Sequence, residues 1–253
     1  MSQTSWLVTE SDIELTKESE VLGEGRFGVV RKAKYQGKEV AAKCLHRRIV
    51  TPESFQNYVN MVFEIEHSNI VKMLGACYQP GFIILMEWVP TSLRQQLQNG
   101  PICNKTRLQA ISTDVAQGLL HLHSQFPNPY VHGGLSSSNV LLDPDNDWKA
   151  KISDFECIAL DRDVGCVSQF KAYVAPEGYD IQQRSPQMDV YSFGILLVEM
   201  HTSELPVGEE KCRVMNSVAK RWSKLYCLVK TCTSTARLNR PRMSKVISEL
   251  DNL

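Results

Sequence analysis

The sequence has no excess of charge of either sign. Among its 253 residues, lysine plus arginine and aspartate plus glutamate both number 28, so the formal net charge is zero. Proteins that bind nucleic-acid phosphates carry an excess of lysine and arginine on at least one face. The composition therefore gives no reason to expect a nucleic-acid partner.

The chain also lacks the patterns of secreted, zinc-bound and membrane-spanning proteins. Its eight cysteines include no C-x-x-C pair, whereas zinc sites usually need close pairs and disulfide frameworks belong to short secreted chains. No signal peptide is visible, and the longest apolar stretch, near Tyr191–Met200, is far shorter than the ~20 residues that span a bilayer. We expect reduced thiols in a cytoplasmic chain, or in the intracellular part of a larger protein, with no membrane contact of its own.

Low-complexity tracts, internal repeats and linkers rich in proline, glycine or serine are absent as well. Nothing in the composition therefore separates independent domains. An apolar fraction of 43% is ample for a core. We predict a polar lead-in over residues 1–17 and one domain over residues 18–253.

What the sequence does contain is a glycine-rich turn between two β-prone runs, over Val21–Val30. Gly23, Gly25 and Gly28 would let the backbone approach phosphate oxygens closely, because glycine has no Cβ. Taken alone, this G-x-G-x-x-G pattern is equally compatible with a plain hairpin turn. An apolar strand that ends in Lys43 follows the turn.

Two helices are predicted from periodic apolar residues. The first spans residues 53–66 and buries one stripe that includes Tyr58; the second is a long helix over Leu108–His123. The second helix leads into the segment HGGLSSSN at 132–139, which is followed by an apolar run. The segment DFE at 154–156 begins twelve residues beyond that run.

These segments resemble the H-R-D-x-x-x-x-N and D-F-G motifs of protein kinases. The resemblance extends over residues 18–250, because the glycine turn and the Lys43 strand precede them and an A-P-E segment at 175–177 follows. The phrases DVAQGLLHLHS and DVYSFGILLVEM are most similar to the tyrosine-kinase-like branch of serine/threonine kinases.

The resemblance implies an α+β, bilobal protein-kinase fold, with a β-rich N-lobe over residues 18–88 that carries one regulatory helix and a helical C-lobe over residues 89–253. It also implies ATP and Mg²⁺ as cofactors. The nucleotide-binding positions are Gly23, Gly25, Gly28, Val30, Ala41, Lys43, Met86, Glu87, Val89 and Leu141, and the metal positions are Asn139 and Asp154. Structural positions are Tyr58, His132, Phe155, Glu177, Asp189 and Arg240.

The same resemblance implies that several residues needed for phosphoryl transfer are replaced in this chain. Gly134 occupies the position of the catalytic aspartate, so no catalytic residue is intact, and losing a general base costs about 10²–10⁴-fold in rate. Tyr58 replaces the helix glutamate that would pair with Lys43. Gly133 replaces the arginine that would receive a loop phosphate. Substrate-binding positions are changed at Ser136 and at Gln169-Phe170.

We therefore predict a nucleotide-binding pseudokinase that acts allosterically or as a scaffold for other, unidentified signalling proteins. The alternative is a weakly active, ATP-dependent serine/threonine protein kinase that relies on magnesium and positioning alone. A third possibility is a binding module without nucleotide, against which the retained Lys43, Asn139 and Asp154 argue.

Overall fold

The computed structural model describes residues 6–16, 18–25, 27–46, 50–78, 81–154 and 171–253. The chain divides into two compact units, Met1–Val89 and Pro90–Leu253. The first is built on a β-sheet and the second mainly on α-helices. The predicted α+β class is confirmed.

The N-terminal unit is organised around one sheet. Its strands are β1 (Ile13–Glu14), β2 (Val21–Glu24), β3 (Gly28–Tyr35), β4 (Lys38–Leu45), β5 (Met73–Cys77) and β6 (Ile83–Glu87). They pair antiparallel in the order β1-β3-β4-β6-β5, with β2 also on β3. One face buries an apolar cluster formed by Val8, Ile13, Ala33, Val40, Ala42, Cys77, Ile83 and Leu85.

Helix α1 (Pro52–Phe63) is the α-helix found among the described residues of this unit. Thr51 caps its start through a reciprocal pair of hydrogen bonds with Ser54, and Pro52 occupies the first turn, where its missing N–H costs nothing. The helix ends three residues before the predicted bound of 66. Ile65, just beyond the end of the helix, is nevertheless buried, and its N–H donates to the Val62 carbonyl at 3.0 Å.

Part of the predicted lead-in is packed into the N-terminal unit. Trp6, Val8 and Ile13 are all buried, and Leu7 forms a parallel bridge with Ala76 on β5. Trp6 and Val8 stand two positions apart, but two apolar residues are too short a pattern to predict a strand from the sequence. Trp6, Val8 and Ile13 therefore pack as part of the N-terminal unit.

The C-terminal unit contains a small sheet of β7 (Thr91–Ser92), β8 (Val140–Asp143) and β9 (Lys149–Ile152). Its helices are α2 (Leu93–Leu97), α3 (Lys105–His123), α4 (Pro186–Thr202), α5 (Lys211–Arg221), α6 (Ser223–Cys232) and α7 (Met243–Leu250). Helix α3 starts earlier than predicted because Asn104 accepts a hydrogen bond from the Arg107 N–H and caps it.

Helix α4 forms the centre of this unit. Every residue from Met188 to Met200 is buried, and the helix packs against α3, α5 and α6. A helix that is apolar all round is typical of a protein core. Within the described residues, no helix has the length and apolar character needed to cross a bilayer.

Candidate functional site

The sheet of the N-terminal unit places several predicted nucleotide-binding residues on one face. Val30 lies opposite Lys43, and Ala41 lies opposite Met86. Residues directly opposite each other on paired strands share a face, as do residues two apart on one strand. Val30, Ala41, Lys43 and Met86 therefore share the face opposite the apolar cluster. The Lys43 residue is only 3% exposed.

The three glycines of the turn have different surroundings. The Gly25 N–H donates to the Gly28 carbonyl at 2.9 Å and closes the turn. A Cβ on Gly28 would lie 2.2 Å from the Cys44 carbonyl oxygen, whereas Cβ atoms on Gly23 or Gly25 would meet open space. Packing thus accounts for the glycine at position 28 but not for those at positions 23 and 25.

Glu87 is held in place by its side chain. Its Oε1 accepts from the Lys72 N–H at 2.7 Å, and its own N–H donates to the Lys72 carbonyl at 3.0 Å. Val89 is the last residue of the N-terminal unit. Glu87 and Val89, two of the nucleotide-binding positions that the resemblance implies, therefore lie at and just beyond the anchored end of β6.

Tyr58 lies on the buried face of α1, together with Phe55, Val59 and Val62. A glutamate at this position would place its carboxylate on the same buried face. Phe155, predicted as a structural residue, lies outside the described residues, as do Glu156 and Gln169-Phe170.

In the C-terminal unit, the carboxylate of Asp189 on α4 anchors the segment at 132–139. One oxygen accepts from the His132 N–H and the other from the Gly133 N–H, both at 2.8 Å. His123 Nε2 lies 2.8 Å from the first oxygen. Burial opposes ionisation of Asp189, but the hydrogen bond and charge of His123, with the Gly133 N–H, outweigh it and lower the pKa.

The segment is also braced from within. Asn139 Nδ2 donates to the Gly134 carbonyl at 2.8 Å, and the Gly134 N–H donates to His132 Nδ1 at 3.2 Å. Burial lowers the pKa of His132, which keeps the imidazole neutral and able to accept that bond. The brace uses the backbone of Gly134, so it does not depend on a side chain at that position.

Backbone conformation distinguishes the two glycines. Gly133 has φ = 72°, in the left-handed region that favours glycine, whereas Gly134 does not have a positive φ. An aspartate at position 134 is therefore compatible with the local backbone. An arginine at position 133 would need strained geometry, which costs roughly 1–2 kcal/mol.

The β8–β9 hairpin brings the two predicted metal residues to the same end of the small sheet. Val140 pairs with Ile152, and the Ser153 N–H donates to the Asn139 carbonyl at 2.9 Å. Asp154 follows at once, with φ = 62°. A non-glycine residue held in this region costs about 1–3 kcal/mol and often marks a functional position. An amide oxygen and a carboxylate are hard ligands that suit Mg²⁺.

Arg240 and Glu177 form a buried, two-pronged ion pair. Arg240 Nη1 and Nη2 donate to the two carboxylate oxygens at 2.6 and 2.8 Å. Two more donors of the same guanidinium bind the carbonyls of Ser234 and Gln187. Burial raises the pKa of Glu177, but the Arg240 contacts outweigh it and the net pKa is lowered. The pair ties the A-P-E segment to the region before α7.

We expect Arg240→Lys to lower the free energy of unfolding by about 2–3 kcal/mol, because lysine keeps the charge but cannot bond both carboxylate oxygens and the carbonyls together. Urea denaturation measures the change. Arg213→Lys is the matched control, since Arg213 pairs with Glu204 and Glu210 but is 59% exposed. An equal loss in both variants would contradict the expectation.

Sequence reasoning missed a buried polar cluster of Tyr173, Glu199 and Arg94. The Tyr173 hydroxyl donates to Glu199 Oε2 and accepts from the Ser137 N–H at 3.2 Å. Glu199 Oε1 lies 2.6 Å from Arg94 Nη1. The available signal was Glu199 itself, a carboxylate inside the apolar run of α4, since a buried charge needs a partner.

This cluster keeps the hydroxyl of Tyr173 buried and protonated. Tyr173 is one of the two residues with a hydroxyl group between Asp154 and Glu177. The residue is 0% exposed. Burial, together with the charge and hydrogen bond of Glu199, raises its pKa well above the usual value. Its hydroxyl is therefore inaccessible to a modifying enzyme in this conformation. Ser168, the other hydroxyl, lies outside the described residues.

Comparisons with known proteins agree on one family. A family model for protein tyrosine and serine/threonine kinases matches residues 16–250. The chain is 34% identical over 245 residues to the dual specificity protein kinase splA of Dictyostelium discoideum, covering 83% of this chain and 10% of that protein. It is 31% identical over 261 residues to the dual specificity protein kinase shkC of the same organism, covering 92% and 50%.

A plant relative gives the same result. The chain is 32% identical over 270 residues to a probable LRR receptor-like serine/threonine-protein kinase of Arabidopsis thaliana, covering 91% of this chain and 30% of the relative. The chain thus spans half or less of the length of these three relatives.

Proposed function

Because the chain belongs to the protein tyrosine and serine/threonine kinase family, we propose that it is a nucleotide-binding pseudokinase that acts as an allosteric or scaffolding element in intracellular signalling. One observation carries the proposal. The segment at 132–139 keeps its anchor on Asp189 and its Asn139 brace, yet Gly134 offers no side chain at the position of the base. The segment that would help to bind nucleotide and metal thus keeps its hydrogen bonds, but the side chain that would act as the base in phosphoryl transfer is absent.

Members of the family generally use ATP and Mg²⁺. From the N-terminal unit, the proposed contacts are Gly23, Gly25 and Lys43 with the phosphates and Val30, Ala41 and Met86 with adenine, alongside the Glu87 carbonyl and Val89 amide. From the C-terminal unit, Leu141 would contact adenine, and Asn139 and Asp154 would hold magnesium. When bound, magnesium would neutralise phosphate charge.

Phosphoryl transfer also needs a residue that orients the acceptor hydroxyl. Segment 132–139 contains no aspartate or glutamate that could take over from Gly134. Typical kinases turn over at about 1–100 s⁻¹, and loss of a general base costs about 10²–10⁴-fold. The proposed residual rate is therefore slow at best.

A weakly active serine/threonine kinase is the second candidate. It is favoured by the brace between Asn139 and the Gly134 carbonyl, because a correctly shaped loop could still position nucleotide and metal.

The proposed kinase-like domain spans residues 18–253, with an N-lobe over 18–88 and a C-lobe over 89–253, in a cytoplasmic setting. Partners other than nucleotide are proposed to be signalling proteins.

Mg-ATP is expected to raise the melting temperature of the protein. Ligand at about 100 times its Kd stabilises by about 2.7 kcal/mol, which for a chain of this size corresponds to roughly 5–11 °C. Lys43→Met and Asp154→Asn should each shrink the shift. Differential scanning fluorimetry with a titration of Mg-ATP measures it.

Lys34→Met is the matched control, because Lys34 lies on the neighbouring strand β3 and is exposed. It should leave the shift unchanged. The absence of any shift at millimolar Mg-ATP, in protein that otherwise melts cooperatively, would overturn nucleotide binding and with it the proposed function.

A further inference from the structure

Trp6 connects the start of the chain to helix α1. Its Nε1–H donates to Asn60 Oδ1 at 2.7 Å, across 54 positions of sequence. The residue is only 4% exposed. A buried indole with a satisfied N–H is a specific anchor, because both its apolar area and its donor are used.

The residues next to Trp6 extend the sheet. The Ala76 N–H donates to the Trp6 carbonyl at 2.8 Å, and the Val8 N–H donates to the Ala76 carbonyl at 2.9 Å. Strand β5 ends the sheet, so these bonds cover part of an otherwise open edge. We name residues 6–8 the strap.

Gly75 on β5 lets the strap approach this edge. A Cβ at this position would lie 2.4 Å from Val8 Cγ2 and 3.1 Å from the Trp6 carbonyl oxygen. The side chains of the strap alternate: Trp6 and Val8 are buried, and Leu7 between them is 54% exposed. The strap thus follows the period of a strand with one face on the protein.

Aromatic contacts link the strap to the packing of α1. The rings of Trp6 and Tyr78 lie 5.9 Å apart, and Tyr78 lies edge-on to Phe55 of α1 at 5.2 Å. Phe55 in turn contacts Phe82 at 4.9 Å. Each spacing falls within the range of favourable aromatic pairs. The strap therefore touches both the sheet edge and the helix.

We propose that the strap is a conformational device that fixes α1 against the edge of the sheet, so that release of residues 6–8 loosens the helix. Two backbone hydrogen bonds, the Trp6–Asn60 bond and two buried side chains hold the strap, a small set that can open without unfolding the sheet. A loosened α1 would also change the affinity for nucleotide, a consequence that rests on the proposed function, in which α1 is the regulatory helix.

Hydrogen exchange of the full chain without nucleotide tests the strap. We expect Trp6→Ala to accelerate exchange of the α1 amides at least tenfold. Trp6→Phe keeps an aromatic ring but removes the donor, and a hydrogen bond is worth about 0.5–1.5 kcal/mol, so a two- to tenfold acceleration is expected. Leu7→Ala, in the same strap but exposed, is the matched control and should change nothing.

Two results would overturn the proposal. One is unchanged α1 exchange in Trp6→Ala; the other is acceleration spread equally over β3 and β4, which would indicate general loss of stability. Should Trp6→Ala fail to fold, the comparison of Trp6→Phe with Leu7→Ala decides. Because this measurement needs no ligand, its result does not depend on whether Mg-ATP binds.

Discussion

Gly134→Asp is expected to raise phosphoryl transfer by no more than about 10²–10⁴-fold, and to leave it below ordinary kinase turnover. The variant restores the base but not the other changed positions. Tyr58 stays where a glutamate would orient Lys43, and misplacement of reacting groups by about 1 Å can cost 10²-fold by itself. Nucleotide affinity should change little.

The structure makes this substitution a fair test of the base alone. Gly134 does not have a positive φ, so an aspartate is compatible with its backbone, and the Asn139 brace binds its carbonyl rather than a side chain. Gly134→Asn supplies the same volume without a carboxylate and is the matched control. A melting curve for each variant verifies that the segment still folds.

Single-turnover transfer from labelled ATP measures the effect in wild type, Gly134→Asp, Tyr58→Glu and the double variant. The double variant should gain more than either single change, because the two residues would rebuild one coupled unit. Wild-type turnover at ordinary kinase rates would refute the pseudokinase proposal. Full rescue by Gly134→Asp alone would show that the other changed positions are unimportant.

Asp189→Ala is expected to lower the free energy of unfolding of the C-terminal unit by about 3–6 kcal/mol. The carboxylate is 1% exposed and accepts from two backbone N–H groups and His123. Each buried donor left without an acceptor costs about 1–3 kcal/mol, and the lost side chain adds a cavity. Helix α4, which carries Asp189, would lose its attachment to segment 132–139.

The pH dependence of this effect has a definite sign. The pKa of Asp189 is lowered from 3.8, so the stability contributed by its ionised form is fully present above about pH 4. It is lost as the pH falls further toward the folded-state pKa. The stability difference between wild type and Asp189→Ala should therefore be constant near pH 7 and shrink below about pH 4.

Urea denaturation at pH 7 and at pH values from 5 down to 3 measures both expectations. Asp145→Ala is the control, because Asp145 is exposed near the β8–β9 turn and should have little effect at any pH. A loss no larger than that of the control would mean that the Asp189 hydrogen bonds contribute nothing net to stability. A difference that grows toward acid pH would contradict the sign.

The order of motifs along the chain was enough to predict the α+β class and the family, and both predictions are confirmed. The reason is that each motif is local: a glycine turn, a strand ending in lysine, or an apolar helix is legible within about a dozen residues. Helix bounds were predicted less well, since the Asn104 cap moved the start of α3 and a turn at Ile65 ended α1 early.

The roles of the nucleotide and metal residues stay predictions. What the sequence established is which residue types stand at those positions, including the absence of a carboxylate at Gly134. The tertiary structure added which of them share a surface: Val30, Ala41, Lys43 and Met86 do so because the register of β3, β4 and β6 aligns them. Register depends on pairing between distant strands, which local pattern does not specify.

Only the tertiary structure decided which glycine is needed for packing and which side chains meet across long stretches of sequence. Gly28 is required by the Cys44 backbone, while Gly23 and Gly25 face open space, although all three match one motif equally. Tyr173 reaches Glu199 and Trp6 reaches Asn60 across 26 and 54 positions. Such contacts depend on the directions in which side chains point from the folded helices and strands, and those directions are set only when the core packs.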